Sequence, residues 1–89
     1  MTESELKELL AAIEHQRWAG WQAYLHSLCE RRDDGALVIP ADRVAHWERQ
    51  IATPYADLTE REKDSDREQV DRYWHLVTAE RSVRAVAAR

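Results

Sequence analysis

The stretch from Thr2 to Leu28, TESELKELLAAIEHQRWAGWQAYLHSL, decides the fold. Thr2 is followed three positions later by Glu5, a capping-box spacing that lets a hydroxyl and a carboxylate satisfy two free backbone N–H groups at a helix start. Leu6, Leu10, Ile13, Trp21, Tyr24 and Leu28 then recur at three- and four-residue steps, with Arg17 as the polar entry on the stripe. Leu9, Trp18 and Leu25 widen it. This spacing predicts an amphipathic helix over about residues 3–30. Gly20, between Trp18 and Trp21, costs about 1 kcal/mol relative to Ala inside a helix. It is expected to mark the close approach of another element, or a slight bend.

Beyond the first helix, the charged run Glu30-Arg31-Arg32-Asp33-Asp34 closes on Gly35, and Asp-Gly is a turn signal. Ala36-Leu37-Val38-Ile39 is short and β-prone, and Pro40 stops it. Its length predicts an isolated extended segment lying over the helices, without a sheet partner. Pro40 suits the entry to a second helix over about residues 41–52, with Val44, Trp47 and Ile51 on one face. Thr53-Pro54 ends it, since the residue before proline is steered away from helical backbone. Thr59 with Glu62 forms a second capping-box spacing. The third helix is expected to run to about residue 86 with Asp66, Val70, Tyr73, Trp74 and Val77 on its inner side. The predicted class is all-α: one small three-helix domain over residues 1–89, with a short extended arm between helices 1 and 2.

At 89 residues, with no Phe, four Trp and three Tyr, the aromatic mass of this small domain rests on Trp and Tyr. Each buries roughly 150–250 Å², so truncating one is expected to be felt strongly. The net charge of −4 disfavours wholesale nucleic-acid binding, which calls for a basic surplus. The last nine residues hold Arg81, Arg84 and Arg89 and no acid, a distribution that complements a helix C-terminus. A single cysteine, Cys29, forms no intrachain disulfide and fits a reducing compartment. No apolar run approaches the ~18 residues of a membrane span, and the acidic, amphipathic start is unlike a signal peptide. A cytoplasmic protein with no membrane association is expected.

Catalytic spacings are missing. His26 and Cys29 share a helix face, but no second ligand pair accompanies them, so no metal site is expected. Two glycines cannot build a phosphate-cradling loop, and no Ser or Cys sits in a nucleophile's context. The expectation is a binding protein without cofactor, not an enzyme. Trp18, Trp21, Trp47, Tyr55, Tyr73 and Trp74 form a set that either packs as core or lies at its edge, where rings beside Arg or His suit a flat anionic ligand.

The most specific local pattern is Pro54-Tyr55-Ala56-Asp57-Leu58-Thr59-Glu60-Arg61-Glu62-Lys63-Asp64-Ser65-Asp66-Arg67, reading P-Y-x-x-L-[ST]-x-x-E-K-x-x-D-R. With His15-Gln16-Arg17-Trp18 as a His-x-x-Trp on the first helix, it resembles the RyR domain, the repeat named for ryanodine receptors and found singly in bacterial and phage proteins. The resemblance covers about residues 11–77, and the middle, Arg31 to Ile51, departs from it. It implies a stand-alone, non-catalytic module for a nucleotide or nucleotide-derived signal, with a place in phage defence or counter-defence. Its ligand residues would be His15, Trp18, Tyr55, Lys63, Asp66 and Arg67. For Asp66 and Arg67 the alternative is a polar pair that holds the fold by reaching back to the first helix. The second functional expectation is a helical interaction module or inhibitor. It would dock a basic protein or its own copy through Trp21, Trp47, Tyr73 and Trp74, since exposed Trp and Arg are typical interface anchors.

Overall fold

The computed structural model describes residues 1–87, so Arg89 of the basic end lies outside the described residues. Three helices, α1 (Glu3–Leu28), α2 (Ala41–Ala52) and α3 (Glu60–Ala87), make up most of the chain. The all-α, three-helix reading holds, and the helix starts follow from their caps. The Thr2 hydroxyl accepts from the Glu5 N–H at 3.1 Å while the Glu5 carboxylate accepts from the Thr2 N–H. Thr59 and Glu62 repeat the arrangement at α3: the Thr59 hydroxyl accepts from the Glu62 N–H at 3.2 Å and Glu62 accepts from the Thr59 N–H at 3.1 Å. Pro40 precedes α2, and extended Thr53 ends it.

Three local expectations are corrected. First, the arm is paired: β1 (Glu30–Arg31) and β2 (Leu37–Val38) form an antiparallel ribbon, with Glu30 opposite Val38 and Arg31 opposite Leu37. The intervening turn explains it. Gly35 adopts a φ of +89°, open to glycine at no steric cost. The Gly35 N–H donates to the Arg32 carbonyl, and the Arg32 N–H donates across the turn to the Ala36 carbonyl at 2.8 Å. The Asp34 carboxylate accepts the Ala36 N–H, as Asp does in turns. Once the turn closes, two residues on each side fall into register, so α1 stops at Leu28 short of the expected 30. Second, the chain after Pro54, where the proline was expected to set Tyr55 in an extended turn, is helical. Tyr55–Asp57 form one 3₁₀ turn between α2 and α3. Third, Gly20 has open space around it, and a Cβ there would meet no atom of another element within 4 Å.

The largest departure concerns the core. Three stripes were expected to bury one another, yet none of the described residues is buried. α1 packs on α3, and α2 bridges them, through Trp47 to Trp21 of α1 and through Arg49 and Gln50 to Glu62 of α3. Leu6, Leu10, Ile13, Leu25 and Leu28 of α1 are half-buried, as are Tyr73, Leu76 and Val77 of α3. Asp66, Val70 and Trp74, expected on the inner side of α3, are exposed. The body measures 61 × 33 × 16 Å with a radius of gyration of 18.3 Å, against about 12 Å for a compact domain of this length. Long helices joined by a short bridge leave their apolar faces open.

Candidate functional site

Two groups of side chains stand out, one at the α2–α3 junction and one on the outer face of α3. The junction is organised by Glu62. Its Oε2 accepts from Gln50 at 2.6 Å and from the Arg49 guanidinium at 3.1 Å, while Oε1 takes the Thr59 N–H. The Gln50 amide first, then the Thr59 backbone and hydroxyl, hold the Glu62 carboxyl down at about 2 from its ordinary 4.5. Each donor prefers the ionised form.

Next to it, the Lys63 ammonium lies 5.7 Å from the centre of the Tyr55 ring, within cation–π range. Lys63 also pairs with Glu60 at 3.6 Å. Arg67 donates to Asp64 at 2.8 Å and to Glu60 at 3.1 Å. Those two carboxylates, Asp64 first, raise the Arg67 pKa above its ordinary value. Arg67 is thus committed to its own helix and does not reach back to α1. Asp66 is exposed and makes no ion pair among the described residues.

On α1, the His15 ring stacks on Trp18 at 6.1 Å and 24°. Arg17 pairs with Glu14, which lowers the Glu14 pKa and raises that of Arg17. The six residues taken from the motif resemblance therefore fall into a His15–Trp18 pair and a Tyr55–Lys63–Arg67 group, with Asp66 apart. No hydrogen bond, ion pair or ring contact joins pair to group among the described residues.

Of the four aromatic interface candidates, Trp21 and Trp47 meet edge to face at 5.6 Å and 70°, with Tyr24 tilted against Trp21 at 5.6 Å. Tyr73 is half-buried, and Trp74 is 48 % exposed. Trp74 closes one end of a shallow groove of about 660 Å³, lined by Asp64, Arg67, Glu68, Val70, Asp71 and Trp74. Its apolar floor and acidic rim suit a helix carrying apolar and basic side chains.

Sequence reasoning named Trp74 but missed the groove. The available signal was Val70 and Trp74 one turn apart, rimmed at the same spacing by Asp64, Arg67, Glu68 and Asp71. The part played by Glu62 beyond its cap had no signal, because its α2 partners lie 12 and 13 residues away across a proline turn. Cys29, at the end of α1, is half-buried, and its thiol donates to the Leu25 carbonyl. Among the described residues, no helix is long and apolar enough to cross a membrane. Comparison of the chain with family models, with curated proteins and with solved structures finds no match.

Proposed function

We propose that the chain acts by binding, without catalysis, as a helical interaction module whose apolar face is completed by another polypeptide. The observation that carries this reading is the open core. No described residue is buried, while Trp18 (55 %), Trp74 (48 %), Val83 and Val86 stay exposed along the two long helices. Folded domains bury the apolar faces of packed layers against each other. Contiguous exposed apolar surface marks an interaction site. An apolar-surface dye such as ANS tests the idea. The dilute chain should bind it strongly, and a polypeptide occupying the face should displace it. A dilute chain that unfolds cooperatively and binds no dye would sink this reading.

A second reading follows the RyR-like motif. Tyr55, Lys63 and Arg67 bring a ring and two cations to one end of α3, the chemistry a nucleotide or nucleotide-derived signal requires. Such a ligand must compete with Glu60, which already pairs with both cations. A melting-temperature rise with mono- and cyclic dinucleotides, lost in Lys63→Ala with Arg67→Ala, is its expected signature by linkage. No rise at saturating nucleotide removes it.

A further inference from the structure

The groove on α3 has one wall. All six residues that line it belong to that helix, so a helix laid on Val70 and Trp74 supplies the other. We infer that this second wall is α3 of a second copy of the chain, running antiparallel across a two-fold axis near Trp74. The inference rests on the interaction reading above and names its partner.

Surface area is the first argument. The chain exposes 7343 Å², about 1,900 Å² more than a folded monomer of its 10.4 kDa mass exposes. Obligate homodimers bury about 1,000–2,500 Å² per copy, and their interfaces resemble a domain core cut in half. The excess falls inside that range, and the half-core is what the structure displays.

Charge is the second argument, and it sets the direction. Glu60 to Asp71 carry six acids and three bases, whereas the rest of α3 carries Arg72, Arg81 and Arg84 against Glu80 alone. Parallel copies would set acidic half against acidic half. Antiparallel copies set acidic half against basic half, and an isologous interface makes that exchange twice. With Trp74 opposite itself, helical rise sets Asp64 level with the second copy's Arg84, and Glu68 level with its Glu80 and one residue from its Arg81. Among the described residues Arg84 pairs with Glu80 one turn back and stays 79 % exposed.

Light scattering on the full chain over about 1–100 µM tests the proposal, because mass action makes a dimer concentration-dependent. A dimer is expected for the natural sequence. Asp64→Lys with Glu68→Lys, or Arg81→Glu with Arg84→Glu, should each weaken association roughly tenfold or more by placing like charges together. An equimolar mixture of the two double variants should dimerise again, since each restores what the other reversed. These are surface changes, and rescue in the mixture excludes misfolding as their cause. Failure of the mixture to associate, or a dimer indifferent to both reversals, overturns the antiparallel arrangement. A natural chain that stays monomeric overturns the second copy as partner. If that monomer binds ANS strongly, the interaction reading survives with another partner; if it is cooperative and dye-free, both fall.

Discussion

The first three turns of α3 and its last three make a useful contrast. From Glu60 to Asp71 the helix has a reciprocal cap at Thr59, a carboxylate tied to two residues of α2, and an ion-pair group joining Glu60, Lys63, Asp64 and Arg67. Beyond Val77 the described residues hold one ion pair, Arg84 with Glu80, and a Thr78 hydroxyl returned to the helix backbone. Val83 and Val86 there are 64 % and 68 % exposed. The start is held by groups within the chain. Beyond Val77, the apolar and cationic side chains among the described residues stay exposed.

Five changes test that contrast. The largest effect is expected for Trp47→Ala, which removes the edge-to-face contact with Trp21 that fastens α2 to α1. The ring is only half-buried, so the loss should be about 2 kcal/mol in urea unfolding at fixed protein concentration, below the 3–5 kcal/mol of a buried aromatic. A loss comparable to a fully buried Trp would mean that the junction is already covered.

Glu62→Gln comes next, with a pH signature of its own. Folding depresses the Glu62 pKa from 4.5 to about 2, so its stabilising contribution is complete above pH 4.5 and fades as pH falls towards 2. The natural chain should lose stability through that window. The Gln variant should start lower at pH 7 and decline less steeply, as read by urea midpoints at several pH values. Equal slopes in the two proteins would remove Glu62 from its central place in the junction.

Thr59→Ala should cost about 1 kcal/mol through loss of the cap. The same change at Thr2 should cost less, because its capping partner Glu5 bonds only locally to Thr2 among the described residues, whereas Glu62 of the Thr59 cap also holds Arg49 and Gln50 of α2. Equal costs would erase the difference between a cap tied into the junction and a purely local one. The smallest effect is a gain. Gly20→Ala should raise stability by about 0.5–1 kcal/mol, since the site is helical and open. A loss there would point to another polypeptide packing on α1 at Gly20.

The helix boundaries were largely legible because caps and prolines act through their immediate neighbours. Thr2 with Glu5, Thr59 with Glu62 and Thr53 before Pro54 each set a boundary using groups within three residues. The Asp34-Gly35 turn was legible too, but not that it pairs Glu30-Arg31 with Leu37-Val38, since a charged dipeptide carries no β signal. The register comes from the turn. What the aromatic rings face was illegible for a different reason. Periodicity gives each ring an angle around its helix, so Trp74 could be placed beside Val70 but not assigned a neighbour. In the structure that neighbour is open space, and the inner-side expectation for Asp66, Val70 and Trp74 failed on it. The RyR-like residues were drawn from a motif in the same way. Their spacing along the chain says nothing of the distance between His15 on α1 and Lys63 on α3.

The two-strand ribbon also marks where this chain tolerates engineering. Its tip, Asp33-Asp34-Gly35, is exposed and closed by local hydrogen bonds alone. Exposed, polar loop tips accept insertions and permuted termini better than any other part of a fold. A fluorophore site or split-reporter seam introduced there would leave one capped long helix on each side of the cut. The recombination of the halves would then report directly on how tightly α1 and α3 seek each other.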